Sequence, residues 1–391
     1  MSDGGYDPAR CDLCGSGEAE TLVRLRSGRA MRSDRTLVEF DLEKRRCSRC
    51  GLVRDARRLG PGELEAYYAH EYASRLQPGE HVFYTPNGPV PRSRLLADWL
   101  VCVPGEHRWR RARRGLEVGA GSGVLLQELR RRFPGLALTG VEPGGAASAF
   151  AREKGLELRG SIEEAPGDLD LAYAVAVIEH VASPTAFLKA LRPRLRPGGS
   201  LILCQPTQDV PSYDVLFVDH LHHFGTGHLR AYARKCGFVE RGFVVGHEWM
   251  PNFSLHLFEA TEEAEEFCYT GPPLQTEAGV SAARVVADFA RLDARLAGLG
   301  RAGRRVAVLG LNEVYWLARA YSSLGSFPVV CGLDDDPGRP EHGRLGFPVL
   351  VPERCPELGV QDVLLAVNTV YYPQLKERLR PLGVVVHEVL T

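Results

Sequence analysis

The stretch Leu116-Glu117-Val118-Gly119-Ala120-Gly121-Ser122-Gly123 decides how this chain is read. It closes a short apolar run and is followed at once by VLLQELRRR, whose leucines recur at helical spacing, so it marks a strand-to-helix turn. Glycines at alternate positions let the backbone turn tightly and approach a ligand without side-chain clash. Outward from this turn, residues 113–260 alternate apolar runs with amphipathic segments: GLEVG, LALTGVE, LELRG, LDLAYAVAVI and SLILCQP, then GFVERGFVVG and FSLHLFEA. Such alternation predicts an α/β fold, a parallel sheet covered by helices. The last two runs have no helix-length segment between them and predict an antiparallel hairpin. After a long helical segment, Val280 to Leu299, a second α/β unit begins at RRVAVLGL and continues through PVVCGLDDD, PVLVPE, DVLLAVN and VVVHEVL. Residues 1–80 are polar and turn-rich, with helical period only around Glu63 to Tyr72. The expected domains are 1–85, 86–265 and 266–391, a division that 391 residues accommodate.

Composition narrows the function classes. With 44% hydrophobic and 25% charged residues the chain is ordinary for a globular protein, and a net charge of −1 gives no reason to expect a nucleic acid or a membrane surface as partner. The cluster Arg108, Arg110, Arg111, Arg113, Arg114 reads as a solvated connector, because arginine is the usual base throughout and only five of the 48 basic residues are lysines. The N-terminal residues lack the apolar segment of a signal peptide, and no run of eighteen apolar residues predicts a membrane span. Ten cysteines, four of them in two close pairs, are too sparse for a disulfide scaffold and suit a reducing cytoplasm. Oligomeric state is not legible.

The two pairs are Cys11-x-x-Cys14 and Cys47-x-x-Cys50, with 32 residues between them. Each sets two thiolates at a chelating bite on one tight turn, and two such turns complete a tetrahedron around zinc. Gly15 and Gly51 follow directly, where a knuckle needs a permissive backbone. Four thiolates leave no open coordination position, so the expected zinc is structural, in an N-terminal ribbon. The alternatives are two unligated thiol pairs or a redox dithiol.

A glycine-rich strand–helix turn fits a dinucleotide as well as S-adenosylmethionine. Two features favour the latter: Glu117 ahead of the glycines, and the spacing E-x-G-x-G-x-G in place of G-x-G-x-x-G. Glu142 ends the second strand nineteen residues past Gly123, where a carboxylate can accept from both ribose hydroxyls, and Pro143 follows it. The third strand leads into Ser161 and Ile162, a place for adenine contacts, and the fourth into Val177-Ile178-Glu179-His180-Val181. Taken in order over about 150 residues, these motifs resemble the class I S-adenosylmethionine-dependent methyltransferases. The resemblance implies a Rossmann-like core that binds the donor, and its product S-adenosylhomocysteine, through Glu117, Gly119, Gly121, Gly123, Glu142, Pro143, Ser161, Ile162, Val177 and His180. For His180 a structural or donor-lining role is expected ahead of catalysis.

A cysteine-paired N-terminal segment, this core, and a C-terminal α/β unit, in that order, are similar to the nucleotide-sugar C-methyltransferases, which methylate the carbon beside the keto group of a TDP-4-keto-sugar. Their segment after the fifth strand reads roughly HEHLxYFS. Here it is Val218-Asp219-His220-Leu221-His222-His223-Phe224-Gly225, so Asp219 stands at the glutamate, His220 at the catalytic histidine and His223 at the tyrosine. Tyr72-Ala73-Ser74 resembles the family's active-site tyrosine segment, Asn252-Phe253-Ser254-Leu255 its GGSL run, and Asn368 its C-terminal asparagine. Val218, Ala176 and Gly225 depart from the family's histidine, asparagine and serine.

A carbon beside a ketone must lose a proton before it is methylated, which asks for a base with a pKa near working pH and a group that stabilises the enolate. The resemblance implies His220 as base, Asp219 as the group that orients it or raises its pKa, and Tyr72 as donor to the oxyanion, with His222 or His223 as alternative bases. A small-molecule acceptor, with an O- or N-methyltransferase as runner-up and a donor-binding sensor as second alternative, completes the expectation. The C-terminal domain, a smaller Rossmann-like unit, is expected to grip the acceptor. Its turn carries only Gly310, which argues against a pyrophosphate cradle.

Overall fold

The computed structural model describes residues 7, 9–57, 61–68, 82–85, 88–262, 267, 269–338, 342–343 and 345–391. The chain divides into two compact units, residues 1–22, 44–214 and 220–278 in the first and residues 23–43, 215–219 and 279–391 in the second. This division runs differently from the sequence segments at 85 and 265. Both cysteine turns fall in the same unit as the glycine turn.

Among the strands that precede the core are β1 (Leu42–Cys47) and β2 (Val53–Asp55). The core sheet then takes β3 (Arg114–Val118), β4 (Ala137–Val141), β5 (Leu158–Arg159), β6 (Leu169–Val175) and β7 (Leu195–Pro206). After the short β8 (His222–His223) it is completed by β9 (Phe238–Val245) and β10 (Phe253–Ala260), in the order β5-β4-β3-β6-β7-β10-β9. The first five run parallel, and β10 pairs antiparallel with both β7 and β9, the hairpin expected from the sequence.

Side chains on a strand alternate between faces, and here both faces are apolar. Ala172, Ala174, Leu201 and Leu203 share one cluster, while Leu171, Tyr173, Ile202 and Cys204 share the other. The second face is covered by α1 (Arg92–Cys102) and α2 (Val124–Arg132) through Leu96, Trp99, Leu100, Leu125, Leu126 and Leu129. The first is covered by α3 (Pro184–Leu191) and α4 (Thr226–Lys235) through Phe187, Leu188, Leu229 and Tyr232. Cys11, Leu13, Cys14, Cys47, Cys50 and Leu52 belong to that same cluster, which is why the N-terminal turns are part of the core unit.

The second unit holds α5 (Ala278–Arg301) and a parallel five-stranded sheet of β11 (Val306–Leu309), β12 (Val329–Leu333), β13 (Val349–Leu350), β14 (Asp362–Leu365) and β15 (Val385–Glu388), in the order β13-β12-β11-β14-β15. Each strand lies on one of the apolar runs read from the sequence. Asn368 caps the turn Thr369–Tyr371, accepting from Val370 N at 3.2 Å. Among the described residues no helix is long and apolar enough to cross a membrane.

Polar bonds reinforce the seam between the cysteine turn and the core. Asp12 accepts from Ser183 Oγ at 2.7 Å and from Thr185 N at 2.9 Å, and so adds to the N-cap of α3. Lys235, the last residue of α4, donates to the carbonyl of Leu13 at 3.2 Å. Asp12→Ala is expected to lower unfolding stability by about 1–2 kcal/mol, the usual cost of a lost helix cap. Urea titration followed by circular dichroism measures it, and an unchanged midpoint refutes the role.

Candidate active site and cysteine cluster

The glycine turn at the end of β3 has Gly119, Gly121 and Gly123 at φ +72°, +52° and +75°, the left-handed region. At Gly119 a Cβ would also lie 2.4 Å from Val177 Cγ2, so this position excludes a side chain twice over. Glu142, just past β4, accepts from Gly121 N and Gly144 N, each at 2.8 Å, one on each carboxylate oxygen. Each oxygen keeps a free lone pair for a further donor. Ser161 and Ile162 are half-buried at a single 3-10 turn after β5, and Pro143 is exposed. Glu117 lies inside the sheet, accepts from Tyr173 OH at 3.0 Å, and is pushed up to about 8 by burial.

The turn after β6 leads from this region to the histidines. Ala176 sits at φ +53° and its N–H donates to Cys204 O at 2.8 Å. A left-handed backbone costs a non-glycine residue about 1–2 kcal/mol and suits asparagine better than alanine. Two residues beyond Val177, Glu179 gives its carbonyl to the N–H groups of Leu221 and His222 at 2.8 and 3.2 Å. His180 then meets His220 edge-on with ring centroids 4.6 Å apart, and the Tyr68 ring meets His180 edge-on at 6.1 Å. Tyr72 lies outside the described residues. Tyr68, four positions earlier, is a tyrosine that sequence comparison did not single out.

The centre of the cluster is Asp214, only 2% exposed. One carboxylate oxygen is in contact with His220 Nδ1, and the other accepts from His223 Nδ1 at 2.6 Å and from Gln208 Nε2 at 2.9 Å. Burial alone would push the carboxyl up, but the charge and hydrogen bonds of the two histidines hold it well below the usual carboxylate range. An ionised carboxylate only accepts, so each ring donates its Nδ1–H to it. His223 is lowered to about 4 by burial, so it is neutral near pH 7. His222, on the opposite face of β8, turns its Nε2 to Ala182 O at 3.1 Å. Asp219 was expected to orient His220. Its carboxylate instead accepts from Ser33 N and Oγ at 2.8 and 2.7 Å, and Asp214 holds the ring. The only sequence signal for Asp214 was an acid in the loop six residues before His220.

The four paired cysteines come together as the spacing implied. Sγ atoms of Cys11 and Cys50 are 3.5 Å apart, those of Cys14 and Cys47 3.6 Å, and all four lie within 4.8 Å of one another. A tetrahedral zinc with bonds of ~2.3 Å has sulfur–sulfur edges of roughly 3.8 Å, so the residues fit the ion. The two turns match bond for bond. Gly15 N donates to Cys11 O and Gly51 N to Cys47 O, while Cys11 N and Cys47 N donate to the carbonyls of Ser16 and Leu52. Gly51, at φ +82°, would with a Cβ lie 2.4 Å from Leu274 O.

Glu117 yields a stability test. The ordinary carboxyl value is 4.5 and the folded one about 8. Between them the native protein keeps a proton that the unfolded chain releases, so stability falls as pH rises through this window and then levels. Glu117→Gln holds no such proton. Its stability should match wild type near pH 4.5 and exceed it increasingly up to pH 8, on the order of 4–5 kcal/mol at most at about 1.4 kcal/mol per pH unit. Urea titrations at three pH values check this, and a pH-independent difference refutes it.

Comparison with known proteins accords with this geometry. Residues 92–242 match the family described as "Methyltransferase domain". The chain is similar to the ubiquinone biosynthesis O-methyltransferase of Aeromonas salmonicida, 28% identical over 132 residues, 31% of this chain and 53% of that one. The enzyme of the same name from Pseudomonas paraeruginosa is 29% identical over 109 residues, 25% of this chain and 46% of that one. The chain thus spans about half the length of the curated relatives it matches. Among solved structures it resembles an amino pentose methyltransferase from Micromonospora echinaspora, at 19% identity and a TM-score of 0.34, over 43% of this chain and 90% of that one. Residues 92–242 of this protein, which carry the glycine turn and Glu142, match a methyltransferase domain, and methyltransferases that use S-adenosylmethionine are what this chain is similar to.

Proposed function

We propose that the protein transfers a methyl group from S-adenosylmethionine to the carbon beside the keto group of a nucleotide-linked sugar, with His220 as general base. The observation that carries this reading is the Asp214–His220 pair. A buried carboxylate on Nδ1 fixes the tautomer, aims the Nε2 lone pair, and stabilises the imidazolium that forms when the base takes a proton. His180, whose ring meets that of His220, and Tyr68, whose ring meets that of His180, are candidates to line the acceptor. On the donor side, the free lone pairs of Glu142 suit the ribose hydroxyls. Donor positioning then carries much of the rate, since methyl transfer from sulfonium is an in-line displacement.

A second reading, an O-methyltransferase, draws on the names of the matching relatives. One experiment separates the two. A carbon acid forms its enolate without the donor, so in heavy water the wild type should exchange the proton beside the ketone of a TDP-linked 4-keto-sugar in the absence of S-adenosylmethionine. His220→Asn should lose exchange and methylation together, by roughly 10²–10⁴-fold, with donor affinity unchanged. A product methylated on oxygen ends the carbon assignment, and a fully active His220→Asn ends the base assignment.

We also infer that Cys11, Cys14, Cys47 and Cys50 hold a structural zinc, supported by the sulfur separations and the matched turns. Metal analysis should find about one zinc per chain, by the four-thiolate argument. Cys47→Ser should lose the metal and destabilise the protein, since such an ion contributes folding energy. Metal-free protein with wild-type stability would refute the site.

A further inference from the structure

Lys44 is one of only five lysines in a chain that otherwise uses arginine, and it is fully buried, at 0% exposure. It lies on β1 three residues before Cys47. Its ammonium donates to the carbonyl oxygen of His220 at 2.7 Å and to Asp55 Oδ2 at 3.0 Å. Asp55 ends β2, which pairs antiparallel with β8, Arg54 against His222 and Val53 against His223. The Asp55 N–H donates to Leu221 O at 2.9 Å. Residues 220–223 are therefore carried by the small sheet that grows from the cysteine turns, not by the seven-stranded core sheet.

We propose that Lys44 is a positioning residue for the base, pinning the backbone of His220 while Asp214 pins its ring. This rests on the reading of His220 as general base. A buried ion pair is a weak source of stability, and well-packed apolar residues often replace one at no loss. Lys44 and Asp55 do something that an apolar pair does not. They place a charge-assisted donor on the carbonyl of the residue that must hold its geometry, where a misplacement of about 1 Å can cost 10²-fold in rate. The ammonium also adds positive charge beside the histidines, which disfavours their imidazolium forms. At His223 that field is opposed by Asp214 and joined by His220, and at His222 it is joined by Arg54 and opposed by Asp12.

The test compares Lys44→Met, and Lys44→Met with Asp55→Leu, against the zinc-loaded, donor-binding wild type. The first readout needs no substrate: histidine ring resonances followed by NMR against pH, with His220→Asn and His223→Asn for assignment. Lys44→Met should move the titration of this histidine pair upward by roughly half a unit or more, since a like charge has gone. The double variant, which removes both charges, should move it back toward wild type. The second readout is proton exchange on the TDP-linked 4-keto-sugar, which should fall roughly 10- to 100-fold in both variants, in kcat more than in KM, with zinc content and donor affinity kept. An unmoved titration together with wild-type exchange in Lys44→Met overturns the proposal. Should that variant fail to fold, wild-type exchange in the double variant overturns it equally. If wild type itself exchanges no proton, the base assignment has failed, and the NMR titration alone then decides for or against Lys44.

Discussion

The histidine cluster depends on how one carboxylate is shared. Asp214 lies beyond the reach of water and gives one oxygen to His220 and the other to His223 and Gln208. An isolated buried carboxylate would take up a proton and cease to be an acceptor. Three donors keep this one ionised, and an ionised Asp214 fixes both rings in the same tautomer. His223 also completes the solvation of the group that holds His220. A cluster of this kind is cooperative, so removing any one member should disturb the others more than its own bond suggests.

Much of the fold was legible because its determinants are local. The seven apolar runs of the core and the five of the C-terminal unit each became a strand, and the absence of a helix between the last two core runs correctly implied the hairpin. The meeting of the four cysteines was legible too, since a fixed short spacing determines where the side chains go. What the sequence did not disclose came from distant chain segments meeting. Asp214 is an unremarkable acid in a loop, Lys44 stands 176 residues from the carbonyl it holds, and Tyr68 enters only through the packing of residues 61–68. Asp219 was chosen by its place beside His220 in the chain. The adjacent carboxylate went to Ser33, and one six residues away took the ring.

The turn after β6 joins the glycine turn to the histidine cluster. Val177 packs where Gly119 has no side chain, and three residues later His180 faces His220. A left-handed alanine at its start turns the chain out of the sheet. Strain of this size persists only where the surroundings over-determine the backbone. Here the Cys204 carbonyl and the Glu179 hydrogen bonds to Leu221 and His222 do so.

The antiparallel pairing of Val53–Asp55 with His222–His223 also bears on how such proteins can be recombined. A cut near residue 85, the seam that sequence alone recommends, would remove β1 and β2 and leave β8 as a two-residue edge without its strand partner. Unpaired edges seek other chains, so a fragment begun there should associate with itself as well as lose its histidine geometry. Chimaeras that keep this pairing would need to carry residues 53–55 and 222–223 together, as one heritable block.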